Sequence, residues 1–345
     1  MLDPWYLDNL GCTRDHSPLN FDGHDLISKA GQHYPVANGI PVMLREDVPM
    51  TTETATASLR RANGEIAGDP RLSEFYLETL GIDDAEKNGI VELAAKGSKV
   101  DPVVSYLVAA TNGLMYRHLR GQLDRYPIPR FPLPPGGGKS LLDVGCGWGR
   151  WCFSAAMMDY NAVGIDPSLG AASAGCRVAA ELGVPVRFVV GDARYLPFRD
   201  ATFDCVYSYS VIQHFSREDA RQAVKEIGRV LKPGGTAVVQ MPTRFGVRCL
   251  YHQARRRFRE GVGFDVRYWS LTSLHLLFNQ FIGPCRSDVD CFFGIGLQSA
   301  DADLMPHAFR LLMRASDVTR AASHAFPPLR WIADSVFMVA HKAPG

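Results

Sequence analysis

The chain predicts an α/β protein on a doubly wound, mostly parallel sheet, and three stretches carry that expectation. Leu141 to Gly149 reads LLDVGCGWG, an apolar run that ends in an acid and passes into three glycines at two-residue spacing. Val163 to Ser168 (VGIDPS) ends a second apolar run in Asp166, and Val186 to Phe198 (VRFVVGDARYLPF) ends a third in Asp192. Carboxylates that close successive parallel strands gather along one sheet edge, where open α/β folds take their ligands.

Taken in order, strands are expected near 140–145, 162–166, 186–191, 204–210 and 235–241, with helices near 148–159, 168–182 and 217–231. Such alternation requires a parallel sheet with helices on both faces. Ser216 with Asp219 marks a capped start for the last of these helices. After Met241 come an insert, a helix at 271–281, a strand in DVDCFFGIGL and a final strand in SVFMVAHKA. Glycine after a strand lets backbone approach a ligand where a side chain would collide. Asp166 follows at the distance where an acid meets ribose hydroxyls in dinucleotide folds. The spacing nevertheless departs from G-x-G-x-x-G/A, because Arg150 stands where the last glycine or alanine belongs. A ligand with adenosine and no pyrophosphate fits better.

Four regions are expected. Residues 1–50 form a small β module, in which HYPVANGIPVML (His33 to Leu44) reads as a hairpin turning at Asn38-Gly39. Residues 51–68, polar and rich in Thr and Ala, read as a linker. Residues 69–138 read as a helical segment and lead-in, with Val104, Leu107, Val108, Leu114 and Met115 on a buried face and RYPIPRFPLPPGGG breaking regular structure at its end. Residues 139–345 form the main domain.

With 345 residues, 46% hydrophobic, and a formal charge of +1, the chain can bury a large core, and no global charge marks a nucleic-acid binder. The start, MLDPWYLDNL, lacks the basic flank and apolar run of a signal peptide. No run approaches the length of a spanning helix, so no membrane insertion is expected. Eight scattered cysteines without a C-x-x-C pair suit reduced thiols and a cytoplasmic location.

From Lys139 to the C-terminus the chain resembles the class I S-adenosylmethionine-dependent methyltransferases, with a core like methyltransferase type 11. The D-x-G-x-G-x-G loop, the Asp166 acid, GDARYLPF, FDCVYSYSVIQHF (Phe203 to Phe215) and RVLKPGGTAVVQMP (Arg229 to Pro242) carry the likeness. It implies a Rossmann-like sheet of seven strands whose last is antiparallel, with S-adenosyl-L-methionine as cofactor. It also implies a role for Asp143 at the loop and the ligand's amino group, and for Gly145, Cys146 and Gly147 beneath the ligand. Asp166, with Pro167 beside it at the expected first helical position, would accept the ribose hydroxyls. Asp192 would accept the adenine amine, with the Ala193 amide at the ring. Tyr209 and Gln213 would lie at the methionine end, and Tyr207 shares a face with Tyr209 by the two-residue period. His214 is the candidate general base, because its ordinary pKa lies near neutrality; the alternative is a packing role. Tyr116, Arg117 and Arg150 either reach a ligand or lie on a solvated surface.

The N-terminal segment resembles the small zinc-ribbon-like proteins that activate tRNA and translation-factor methyltransferases, through Leu10-Gly11-Cys12 and the Tyr-Pro-x-x-x-Gly-Ile-Pro run ending at Pro41. That family often holds zinc with two C-x-x-C pairs. Here Cys12 stands with His16, His24 and His33 at irregular spacing, so no metal is expected.

The insert 244–269 holds seven arginines, at 244, 248, 255, 256, 257, 259 and 267, against Glu260 and Asp265. Arginine forks bind carboxylates and phosphates bidentately. Arg255, Arg256 and Arg257 are therefore candidates for an anionic substrate, the alternative being a solvated helix face. The expected function is methyl transfer to a small molecule. The alternatives are a tRNA or protein methyltransferase with its activator-like module fused in cis, and a non-catalytic S-adenosylmethionine binder. The acceptor and the oligomeric state are not legible in the chain.

Overall fold

Asn38 and Gly39 both adopt positive φ, 48° and 80°, the conformation a two-residue hairpin turn demands. In the computed structural model, which describes residues 2–111, 114–294 and 296–345 (the side chains of 110, 111 and 114 excepted), this turn joins the last two strands of an antiparallel sheet. Its strands are β1 (Leu19–Phe21), β2 (Asp25–Ser28), β3 (His33–Ala37) and β4 (Ile40–Pro41), in sequential order. Helix α1 (Pro4–Asn9) precedes them, with Asp3 capping its first turn by accepting from the Trp5 amide.

The remaining strands are β5 (Ser140–Val144), β6 (Asn161–Asp166), β7 (Val186–Val190), β8 (Phe203–Ser208), β9 (Leu231–Pro242), β10 (Cys285–Cys291) and β11 (Ser335–His341). They form one sheet in the order β10-β11-β9-β8-β5-β6-β7. β5, β6 and β7 pair in parallel, as do β8 and β9, whereas β11 runs antiparallel to both β9 and β10. This is the expected doubly wound, seven-stranded sheet with an antiparallel last strand. The chain divides into two compact units, Met1–Thr202 and Phe203–Gly345.

In the first unit, Leu141, Leu142, Val163, Ile165, Val189 and Val190 are buried, as parallel strands covered on both faces require. Its helices are α2 (Glu53–Ala62), α3 (Asp84–Lys96), α4 (Pro102–Thr111), α5 (Arg150–Ala156) and α6 (Leu169–Leu182). The N-terminal segment covers the free edge of β7. Tyr6 donates to the Phe188 carbonyl at 2.9 Å, the Met43 amide donates to the Val190 carbonyl at 2.7 Å, and Leu10 bridges Phe198. Covering an edge removes a template for unwanted strand pairing.

Residues 53–62, expected as linker, instead form α2. Thr52 caps it by accepting from the Ala55 amide, and Ala55, Ser58 and Leu59 are buried. Ala55 and Ser58 supply small side chains on the buried face beside Leu59, whereas Thr56 is exposed. Ser58 and Thr79 accept from the Leu169 and Gly170 amides, so this region satisfies the first turn of α6. Val104, Leu107 and Val108 of α4 are buried as expected, whereas Leu114 lies outside the described side chains and Asn112 and Gly113 outside the described residues.

In the second unit, α7 (Arg217–Val230) starts as expected at Ser216, which accepts from the Asp219 amide at 3.0 Å. α8 (Val247–Arg255), α9 (Leu271–Phe281) and α10 (His307–Ala325) follow. The strand expected in DVDCFFGIGL begins earlier and ends at Cys291, because Phe293 and Gly294 turn the chain with positive φ; Ile295 lies outside the described residues. α10 was not expected from the sequence. Pro306 at its cap offers no side-chain acceptor, and the buried residues are Met313, Ser316 and Ser323. No helix among the described residues is long and apolar enough to cross a membrane.

Candidate functional site

In the first unit the turn after β5 is built by glycine. Gly147 takes φ 55°, and its amide donates to Asp166 Oδ2 at 2.9 Å. Gly149 takes φ 90°, and a Cβ there would stand 2.6 Å from the Phe188 ring. A side chain at either position would meet backbone strain, and at Gly149 a packed aromatic as well. Cys146 is buried within the turn, and burial pushes its thiol up to about 11, so it is no nucleophile at neutral pH.

Asp143 is 1% exposed, and its donor among the described residues is the Cys152 thiol at 3.4 Å. Burial raises its carboxyl to about 7, opposed by the thiol and reinforced by Asp166. A buried carboxylate with so little donation suits a cationic partner. Asp166 closes β6 and is half-buried; it accepts from the Gly147 amide and, at 3.0 Å, from the Ser168 amide. Burial raises its carboxyl too, against those two hydrogen bonds. Each oxygen retains a lone pair for a hydroxyl. The glycine cradle, the under-donated Asp143 and the free acceptor capacity of Asp166 together fit an S-adenosylmethionine-like ligand. The helix start differs from expectation: Ser168 is the cap of α6 and accepts from the Ala171 amide, so Pro167 precedes the cap and is not the first helical residue.

Asp192 and Ala193 are buried after β7. Asp192 already has a partner that the sequence reading missed. Arg194 grips it with Nε at 3.0 Å and Nη2 at 2.7 Å, and the Arg194 amide donates to it at 2.8 Å. Both side chains are 8% exposed. An adenine amine would thus share Asp192 with Arg194. The Tyr116 hydroxyl accepts from Arg150 Nη1 and Nη2, both at 3.4 Å, and the two residues are buried, so the solvated alternative is wrong for them; Arg117 is exposed.

In the second unit a polar network follows β8. Tyr207 and Tyr209 both approach Phe337 of β11, at 6.3 and 6.0 Å between ring centres, which places them on one face. The Tyr209 hydroxyl donates to Asp290 Oδ2 at 3.3 Å, and Asp290 also accepts from Ser335 Oγ at 2.7 Å and Gln240 Nε2 at 3.4 Å. Burial holds the Asp290 carboxyl above the usual range, against these three donors. Ser210 takes φ 63°, a strained conformation for a residue with a Cβ, and such strain clusters at functional sites. Its amide donates to Gln240 Oε1 and its hydroxyl accepts from Gln213 Nε2 at 2.7 Å.

His214 is half-buried and stacks on Phe264 at 4.0 Å with ring planes 4° apart. Its Nδ1 lies 2.7 Å from the Phe264 carbonyl, which can only accept, so Nδ1 carries the proton and Nε2 the lone pair. Gln213 Nε2 reaches that lone pair at 3.2 Å. Burial lowers the pKa of the imidazole, helped by Arg267, so the neutral base form is favoured. Arg267 is itself buried; its Nη1 donates to the carbonyls of His214, Gly263 and Asp265, which ties the insert to the His214 turn.

The three candidate substrate arginines divide. Arg256 pairs with Asp265 at 3.5 Å and donates to the Val266 carbonyl, whereas Arg255 and Arg257 are exposed. Among the described residues no group of three metal-ligating side chains converges; Cys12 contacts the Tyr34 hydroxyl, and His24 and His33 flank Asp25. Arg194, Asp290, Gln240, Ser335 and Arg267 were not singled out from the sequence. Arg194, two residues beyond Asp192, and Gln240, in RVLKPGGTAVVQMP, lay within the motifs, and Arg267 within the arginine-rich insert.

Residues 141–235 match a family model described as a methyltransferase domain. Over 104 residues the chain is 34% identical to norajmaline N-methyltransferase of Rauvolfia serpentina, which covers 29% of this chain and 35% of that protein. Over 108 residues it is 36% identical to a Bos taurus protein named probable tRNA methyltransferase 9B, covering 30% of this chain and 21% of that one. The matches thus span about a third or less of these relatives' length. The crystal structure of YcgJ from Bacillus subtilis is similar with a TM-score of 0.41 and 21% identity, covering 61% of this chain and 94% of that one.

Proposed function

We propose, on the premise that this chain belongs to the class I S-adenosyl-L-methionine-dependent methyltransferases through residues 141–235, that it transfers the sulfonium methyl group to a small-molecule acceptor. The observation that carries the reading is the pair of acids flanking one glycine turn, Asp143 buried with a single thiol donor and Asp166 bound to the Gly147 amide.

In this reading Asp143 faces the ligand's ammonium, and the Gly145–Gly147 backbone passes beneath it. Asp166, beside Pro167, takes the ribose hydroxyls. Asp192, steadied by Arg194, and the Ala193 amide serve the adenine. Tyr209 and Gln213 border the methionine end. When bound, the cofactor supplies an already activated methyl group, so the chain's own task is alignment and, where the acceptor carries a proton, its removal. His214 is the base proposed for that step, because its Nε2 lone pair is set by the Nδ1 contact to the Phe264 carbonyl. An anionic group on the acceptor draws on Arg255 and Arg257, with Arg256 holding the insert in shape. The four regions 1–50, 51–68, 69–138 and 139–345 remain our proposed division, amended by the helix at Glu53–Ala62. A cytoplasmic location is part of the same proposal.

Exposed arginines of the insert also support a tRNA acceptor, since phosphate neutralisation drives RNA affinity. Incubating the purified chain with methyl-labelled S-adenosylmethionine and cell-extract fractions separates the readings. Label in small metabolites is expected; label in RNA or protein overturns the small-molecule acceptor. Asp166→Ala is expected to weaken cofactor binding at least about tenfold, the loss of a bidentate charged acceptor. Unchanged affinity would remove the ribose from Asp166.

A further inference from the structure

Helix α8 is amphipathic in the inverse sense. Val247, Leu250, Tyr251 and Ala254 fall at i, i+3, i+4 and i+7, the spacing of one apolar face. That face points outward: Val247 is 58%, Leu250 39% and Tyr251 58% exposed, while Cys249 and Gln253 on the opposite side are buried. The apolar surface continues into the following loop, where Phe258 is 65%, Val262 80% and Phe264 67% exposed. Exposed large apolar side chains concentrated in one segment, 247–264, rather than scattered singly mark an interaction site.

The helix is held firmly in this orientation. Asp334 Oδ1 accepts from the Arg248 and Cys249 amides at 2.8 and 3.1 Å, and Gln253 Nε2 donates to the Arg244 carbonyl at 2.7 Å. The outward stripe therefore belongs to the fold rather than to a frayed end. Around it stand Arg244, Arg255, Arg257 and Arg259, all exposed and none in an ion pair with a described residue. The acids of the insert are engaged elsewhere, Glu260 with Arg217 at 3.3 Å and Asp265 with Arg256.

An apolar stripe with aromatic rings, rimmed by unpaired guanidiniums, matches a surface that is apolar in depth and anionic at its boundary. We propose that α8 and the 258–264 loop seat this protein on an anionic lipid bilayer, lying in the headgroup boundary without spanning it. Leu250, Tyr251 and Phe258 enter the acyl boundary, and Arg255, Arg257 and Arg259 meet the lipid phosphates. The charge complementarity favours lipid over a second copy of the chain, because two such faces would oppose one arginine rim to another.

The test is co-sedimentation of the full chain with vesicles of phosphatidylcholine alone and with about 30% phosphatidylglycerol added. Binding is expected to rise at least about tenfold with the anionic lipid and to fall in high salt. Tyr251→Ser with Phe258→Ser, and separately Arg255→Glu with Arg257→Glu, are each expected to lose most of that binding. Tyr251 and Phe258 are exposed and lie outside the proposed cofactor and acceptor site, so S-adenosylmethionine affinity and methyl transfer by Tyr251→Ser with Phe258→Ser are expected to stay unchanged, which separates this proposal from the catalytic reading. Equal sedimentation with both vesicle types overturns it. So does a dimer in light scattering that Tyr251→Ser with Phe258→Ser dissociates, or retention of tRNA in place of vesicles.

Discussion

Tyr209 donates its phenol to Asp290 across 3.3 Å, and Gln298 Nε2 donates in turn to the Tyr209 oxygen at 3.3 Å. The pair joins the end of β8 to the end of β10, eighty-one residues apart in sequence. Asp290 is the hub of this arrangement, since Ser335 and Gln240 also donate to it.

Removing the hub is expected to cost more than removing one spoke. Tyr209→Phe loses the bond to Asp290 and the one from Gln298, about 1 kcal/mol each. Asp290→Ala leaves the Tyr209, Gln240 and Ser335 donors without their acceptor, and each stranded donor costs about 1–3 kcal/mol. Urea denaturation measures both. Equal losses would show that the network is not centred on Asp290.

The carboxyl of Asp143, raised to about 7 chiefly by burial, makes stability fall with rising pH. Between about pH 4 and about 7 the folded chain retains a proton that the unfolded chain has released. Asp143→Asn abolishes that dependence. Its melting temperature is therefore expected to gain on the parent across this window and to hold a constant lead above it, worth on the order of a few kcal/mol. An unchanging difference from acid to neutral pH would mean that Asp143 ionises normally.

His214 acts in the opposite sense. Burial depresses its pKa in the folded state, so the unfolded chain takes up the proton first as pH falls below about 6.5. Stability is fully present above that pH and declines through the depressed folded pKa. Denaturant melts between about pH 7.5 and about pH 5 are expected to show this decline, and His214→Gln to flatten it. If a transfer assay is in hand, the rising limb of kcat/KM is expected below the ordinary imidazole pKa.

Arg194 and Asp192 form a buried pair, each 8% exposed. Arg194→Ala leaves an uncompensated carboxylate in place and is expected to destabilise by about 3–5 kcal/mol in urea melts. Replacing both residues, Arg194→Met with Asp192→Leu, is expected to recover much of that loss while abolishing the proposed adenine contact. Failure of the double variant to recover would point to strain in the GDAR turn rather than to a stranded charge.

Much of the fold was legible because its signals are local. LLDVG, VGID and VRFVVGD each contain the apolar run, its length and the closing acid in consecutive residues, and Asn38-Gly39 sets its own turn. α2 was misread because Ser58 on its buried face acquires its role only against α6, whose Leu169 amide it satisfies. α10 was not expected from the sequence, and Pro306 supplies no capping side chain to mark its start.

By itself, the sequence determined the alternation of strands and helices from β5 to β9, the glycine turn and the positions of Asp143, Asp166 and Asp192. Backbone conformation and burial period are written in neighbouring residues, which accounts for that much. Only the tertiary structure decided which groups two of those acids meet: the thiol beside Asp143 and the Gly147 amide on Asp166. It alone brought Asp290 to Tyr209, tied Arg267 to the His214 carbonyl and turned the apolar stripe of α8 outward. The physical reason is that hydrogen-bond partners and burial depend on which distant segments pack together, and residue spacing contains no record of that.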